Sequence, residues 1–305
     1  MIRRRALLGA LPIAAAAQEP PATPFDLPAR SDALRPLGGL ELHRRIIGFG
    51  GFSGLHLAPD LTLTVISDRG AWFAAPLQMH GDKPSGLGPL REGLLRDAQG
   101  VPLRRGHLAD AEALVRRPDG SWLVAFEGFH RIRAYRNLDA PAVPVEPPPG
   151  LDDAPGNGGL ESLALLADGR LLAITERMGE TGRVQAWTGG PGAWLPRFYR
   201  PTPGFAPTDA AGLPDGGALV LERRFSLLAG GFACRLVHVP RTNLAGRGEI
   251  SGTPLLNLPP DAPAENWEGV AVLPRGREIW IALISDDNEN LLQRSLFAIY
   301  AWAVA

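Results

Sequence analysis

Five times along the chain one short pattern returns: a polar residue, an apolar run rich in strand formers, a turn, a second apolar run and a carboxylate. The clearest copy runs from Glu161 through Asp168-Gly169 to Glu176. Another runs from Asp110 and Glu112 through Asp119-Gly120 to Glu127, and the rest span Ser53 to Asp68, Asp209 to Glu222 and Glu268 to Asp286. Closing carboxylates at 68, 127, 176, 222 and 286 set a period of tens of residues, the length of a four-stranded blade with its loops. A repeat this short must stack on its neighbours to bury its apolar face. The fold expected is therefore all-β: a β-propeller of four-stranded blades, with five blades favoured and six the alternative.

Alternation and β-branched or aromatic content mark four strands per unit. In the third unit these are residues 162–166, 170–175, 183–188 and 195–200, and in the second 113–116, 122–126, 131–135 and 142–146. The last unit offers three strands, and one extra strand stands at 39–47 before the first unit. Pairing that N-terminal strand with the C-terminal ones closes the ring and removes the open edge. Asp119-Gly120, Asp168-Gly169 and Asp215-Gly216 fall midway between first and second strands, where a tight hairpin needs positive φ, and are read as turns, not ligands.

The N-terminus has the form of an export signal. Arg3, Arg4 and Arg5 precede an apolar run to Ala17, so residues 1–17 are expected to be a signal peptide of twin-arginine type, with an ordinary secretory signal as the alternative. Residues 18–37 are Pro/Ala-rich and read as a linker, and 38–305 as the propeller domain. The run is too short to span a bilayer comfortably, so a soluble periplasmic or secreted monomer is expected. A net charge of -1 excludes a general nucleic-acid surface. Cys234, the one cysteine, lies in an alternating strand and reads as a buried structural thiol without a disulfide.

Strand order places the functional candidates. The first strand of a propeller blade lines the axis, so Ser53, Glu112, Glu161, Asp209 and Glu268 begin at one channel mouth. The second strand returns antiparallel, bringing Asp68, Glu127, Glu176, Glu222 and Asp286 to the same mouth. So many carboxylates repel unless a cation sits among them. Two sources stay open: the arginines that follow the carboxylates (Arg69, Arg177, Arg223, Arg224), or a hard divalent ion such as Ca²⁺ with carboxylate and amide oxygens, Asn157, Asn266, Asp287, Asn288 and Asn290 among them. His107 and His130 lie near acidic positions, while His56 sits in an apolar strand and reads as structural.

Phe52-Ser-Gly-Leu, Ser67-Asp68-Arg69-Gly70, Asp110-Ala-Glu112-Ala, Gly159-Leu-Glu161-Ser, Leu221-Glu222-Arg223-Arg224, Asn266-Trp-Glu268-Gly and Ser285-Asp286-Asp287-Asn288 together resemble the phytase-like family described by an esterase-like activity of phytase. The resemblance covers about residues 38 to 303 and implies an exported bacterial propeller. The leading expectation is a metal-dependent ester or phosphoester hydrolase acting on a small molecule. Its ion, expected to be Ca²⁺, would be held by Asp68, Glu112, Glu161, Asn266, Glu268 and Asp286. Glu176 or Glu222 would accept the proton, and Arg69 or Arg223 would face developing negative charge. The rivals are a propeller-type lactonase and a non-enzymatic binding or scaffold propeller whose acidic ring is structural.

Overall fold

A computed structural model describes residues 19–28, 33–228, 231–258, 265–288, 290 and 292–303. The export signal expected at 1–17 lies outside the described residues.

Five antiparallel sheets follow one another along the chain. Their innermost strands are Phe52–Leu57, Ala111–Arg116, Leu160–Leu165, Ala206–Gly212 and Asn266–Arg275, and each packs against the next around an axis, the fifth against the first. The second strands, Thr62–Ser67, Trp122–Phe126, Leu171–Glu180, Ala218–Ser226 and Glu278–Asp286, pair outward from them. The molecule is thus a five-bladed propeller. Between blades the apolar faces meet in continuous clusters, such as Leu219, Leu236, Trp267 and Leu283 between blades 4 and 5.

Ring closure falls in blade 5. Its order from the axis is Asn266–Arg275, Glu278–Asp286, Leu296–Ala303, Leu34–Leu42 and Ala22–Phe25. Gly39 pairs with Ala298 and Pro24 with Leu40, so both N-terminal strands join the three C-terminal ones. Two readings change. The strand expected over 39–47 is Leu34–Leu42, followed by a short helix, Arg44–Ile47. The Pro/Ala-rich span read as a linker carries the strand Ala22–Phe25, whose Pro24 sits in the outermost strand of the sheet, where a missing N–H is tolerated.

The Asp-Gly pairs are turns. Gly120, Gly169 and Gly216 have φ of 82°, 85° and 91°. The preceding aspartates accept backbone N–H groups two residues on: Asp119 from Ser121 at 2.9 Å, Asp168 from Arg170 at 3.1 Å and Asp215 from Gly217 at 2.8 Å. Cys234 is buried, its Sγ–H directed at the Glu265 carbonyl 3.8 Å away, and burial pushes the thiol up to about 12. His56 stands edge-on to Trp122 with ring centroids 5.3 Å apart, and burial, then Arg116, lowers it to about 4. Among the described residues no helix is long and apolar enough to cross a membrane.

Candidate functional site

Every innermost strand breaks register at its first turn of pleat. The ladder skips Ser53 and Gly54 in blade 1, Glu112 in blade 2, Glu161 in blade 3, Thr208 in blade 4 and Glu268 in blade 5. A bulge leaves one residue unpaired and re-aims its side chain. In blades 1 and 4 that residue is a hydroxyl that stitches to the next blade: Ser53 Oγ donates to the Ala111 carbonyl at 2.5 Å, and Thr208 Oγ1 to the Trp267 carbonyl at 3.4 Å. In blades 2, 3 and 5 it is a glutamate, and Glu112, Glu161 and Glu268 converge at the mouth, close enough for Glu161 and Glu268 both to act on Glu112.

The same register corrects blade 4. Asp209, expected to open that blade at the mouth, lies one residue past the bulge. Its Oδ1 accepts the Ala210 N–H and its Oδ2 the Val270 N–H, both at 2.8 Å, tying blade 4 to blade 5. Burial holds the Asp209 carboxyl well above its usual range. On the second strand Glu222 pairs with Pro207, the ladder position that Thr175 holds opposite Leu160, so Arg223 occupies the place of Glu176. Glu222 is fully buried inside the blade, accepting the Tyr199 hydroxyl at 2.7 Å and the Thr202 N–H at 3.1 Å. It is not brought to the mouth.

Arg223 therefore enters the acidic mouth in the slot where the other blades place a carboxylate. It donates to Asn266 Oδ1 at 2.8 Å, to Glu176 Oε1 at 3.2 Å and to Glu268 Oε1, while Asn266 Nδ2 donates to the same Glu268 oxygen at 2.6 Å. Desolvation opposes its charge, but Glu268, Glu161 and Glu176 together raise the guanidinium. Glu176 is also held by Arg177 at 2.9 Å. This half of the mouth is internally neutralised.

The half formed by blade 2 has no such clamp, although His107 and Arg131 act on Asp110. Asp110, Glu112 and Glu127 each offer an oxygen within 4.8 Å of the others. Glu127 is positioned by accepting the Gly158 and Gly159 N–H groups. Burial first, then Glu127, holds the Asp110 carboxyl above its usual range, while His107 and Arg131 oppose the shift. Desolvation first, then Glu161, Asp110 and Glu268, hold the Glu112 carboxyl well above its usual range. Desolvation first, then Glu127, Glu268 and Glu176, do the same for Glu161, with Arg223 opposing. Burial first, then Arg223 and Asn266 in opposition, leaves Glu268 raised.

Blades 5 and 1 complete the ring. Asp286 is buried, and its Oδ1 has no hydrogen-bond partner among the described residues. Burial first and Glu268 next push it up to about 7. Asp68 packs onto Gly51, whose φ of 71° and missing Cβ make room for the carboxylate. Burial lifts Asp68 to about 6 against the pull of Arg69, whose Nε lies 3.5 Å away. Asp287 is taken up by Arg44 at 3.2 Å and by the Ser295 hydroxyl at 3.0 Å. His130 sets Nε2 3.2 Å from the Ala154 carbonyl and buries Nδ1 against Gly159.

Of the residues expected as ligands, Glu161 and Glu268 both act on Glu112, Glu268 also acts on Glu161 and Asp286, and Asp68 acts on Glu268 and Asp286; Asn266 serves Arg223 and Glu268. Of the expected catalytic residues, Glu176, Arg69 and Arg223 reach the mouth and Glu222 does not. The reading of the sequence places neither Asp110 nor Glu127 among the ligands. Their signal lay in the repeat itself, since Glu127 closes its unit as Glu176 does, and Asp110 precedes Glu112 by two.

No curated protein matches the chain. Among solved structures it is similar to the PQQ-bound aldose sugar dehydrogenase of Streptomyces coelicolor, at 13% identity and TM-score 0.46 over 93% of this chain and 100% of that one. It is similar to a virginiamycin B lyase from Staphylococcus aureus at 10% identity and TM-score 0.45, covering 92% and 84%. A thermostable family-43 glycoside hydrolase gives 8% identity and TM-score 0.49, covering 83% and 89%. At these values the likenesses carry no argument about activity. A family model described as "Esterase-like activity of phytase" matches residues 47–289, most of the chain, and the protein belongs to that phytase-like family.

Proposed function

We propose that the protein is a hydrolase of ester or phosphoester bonds whose acidic mouth holds a divalent cation. The observation that carries this reading is the cluster of Asp110, Glu112 and Glu127, whose oxygens lie within 4.8 Å of one another; on blade 5, Asp286 Oδ1 is buried without a hydrogen-bond partner. Carboxylate oxygens without thiol or imidazole suit a hard ion, Ca²⁺ above the transition metals. Asp110, Glu112 and Glu127 would hold it, with Glu161 and Asp286 facing it.

Once bound, such an ion polarises the substrate oxygen and acidifies a water. The residues do the rest. Among the described residues Glu161, unlike Glu176, makes no close ion pair with an arginine; a cation beside it would favour its ionised form, which can take a proton from water as the oxygen adds to carbon or phosphorus. The bond to the leaving alcohol then breaks and the proton departs with that alcohol. Arg223 has its donors committed to Glu176, Glu268 and Asn266, so it serves as a fixed counter-charge, while Arg69 supplies positive charge on the blade 1 side.

The test is removal and return of metal. Dialysis against chelator should abolish turnover of 4-nitrophenyl acetate and 4-nitrophenyl phosphate, and Ca²⁺ should restore it and raise the melting temperature. Full activity after exhaustive chelation would overturn the reading. Turnover of lactones alone would assign the site to the lactonase class.

A further inference from the structure

Among the described residues nine large apolar side chains are exposed, and six of them, Leu108, Phe129, Phe225, Leu227, Leu228 and Leu292, sit on connections at the acidic mouth. Phe129, Leu227, Leu228 and Leu292 belong to the links between second and third strands, Phe225 is the penultimate residue of a second strand, and Leu108 precedes Asp110 at the entry to an innermost strand. Scattered exposed apolar residues are ordinary, but a set gathered around one polar opening marks a binding surface.

Two parts of this rim are built onto the site. On blade 2, Arg131 lies over the Phe126 ring at 4.2 Å, donates to the Phe129 carbonyl at 3.3 Å and donates also to the Leu108 carbonyl. One guanidinium thus fixes both apolar residues, each two positions from a carboxylate of the Asp110–Glu112–Glu127 cluster. On blade 4, the strand Ala218–Ser226 runs past Arg223, its last residue paired with the innermost strand, and continues against the third strand alone. Strand alternation puts Phe225 on the same face as Arg223. Phe225 packs on Phe232 with centroids 4.8 Å apart, and the Arg223 guanidinium lies 6.0 Å from that second ring. An aromatic wall therefore rises directly from the Arg223 clamp.

We propose that the substrate is amphiphilic: an ester whose scissile group lies among the carboxylates and whose apolar acyl or aryl portion lies against Phe225 and Phe232, with Leu108 and Phe129 opposite. This rests on the hydrolase reading above. A densely anionic substrate meets carboxylates here, and the arginines Arg177 and Arg223 are already paired with Glu176 and Glu268. An apolar group gains by leaving water at this rim.

The full-length protein with Ca²⁺ would be assayed on 4-nitrophenyl acetate and 4-nitrophenyl octanoate, as wild type and as Phe225→Ser and Phe129→Ser. 1-Octanol would be titrated calorimetrically into the same proteins. Both phenylalanines are more than half exposed, at 56% and 66%, so neither substitution empties a core. The octanoate-to-acetate ratio of kcat/KM should be about tenfold in the wild type and fall about tenfold in Phe225→Ser, through KM, with octanol binding weakened in step. If neither ester is turned over yet octanol binds the wild type and not the variants, the hydrolase reading fails and the apolar subsite stands. A wild type with neither chain-length preference nor octanol binding, or variants that leave both unchanged, overturns the proposal. So does binding to phosphatidylcholine vesicles that depends on Leu227 and Leu228 without any octanol response, which would assign the rim to a bilayer surface.

Discussion

At the scale of single residues, the mouth is a contest over charge, and its two halves settle it differently. Arg223 neutralises Glu176 and Glu268, so Arg223→Met should lower stability by about 3 kcal/mol, the usual consequence of stranding a buried ion-pair partner, as read by urea denaturation. The blade 2 half behaves oppositely. Glu112 and Glu161 are held above their usual range by desolvation and by other carboxylates, so each resists ionisation. The double variant Glu112→Gln, Glu161→Gln should therefore be more stable than the parent in chelator at pH 8, by on the order of 1 kcal/mol, and should lose the rise in melting temperature that Ca²⁺ gives. A variant that Ca²⁺ still stabilises would remove these residues from the ion site. Most of this chemistry is legible in the sequence, because glutamates recur at matching points of the repeat. What residue type alone hides is which carboxylates are already spoken for: nothing near Glu222 in the chain announces Tyr199 and Thr202 as its partners.

At the scale of the element, one bulge per blade decides which side chain looks into the mouth. Aligning units by acidity selects Asp209 and Glu222 in blade 4, yet the ladder selects Thr208 and Arg223. A shift of one residue along a strand turns the side chain to the other face, so this small difference converts two candidate site residues into structural ones. The fold-level signals survive such a slip, since hairpin turns and apolar alternation do not depend on which residue bulges. Asp209→Ala should strand the Val270 and Ala210 N–H groups between two blades and lower stability by about 2 kcal/mol, with the response to Ca²⁺ unchanged. Urea midpoints with and without Ca²⁺ measure both; a loss of Ca²⁺ response would return Asp209 to the mouth.

At the scale of the whole molecule, the acidic ring couples folding to pH. Asp68 at about 6 and Asp286 at about 7 both lie above the unfolded carboxylate near 3.9. The folded ion-free chain therefore holds protons that the unfolded chain releases, and this contribution is present at low pH and lost as pH rises through 6 and 7. In chelator, the urea midpoint should fall between pH 5 and pH 8. Saturating Ca²⁺, which competes with those protons, should reduce or reverse the fall; a midpoint independent of pH in chelator would refute the coupling. The closure of blade 5 has a consequence for time as well as for shape. Gly39 can find Ala298 only after the strand Leu296–Ala303 has been synthesised, so the ring cannot close before blade 5 exists. The first four blades can form on emergence, but their circle stays open until the last strand arrives. Assembly of the mouth then becomes a late and slow event, governed by pairing between the two ends of the described chain.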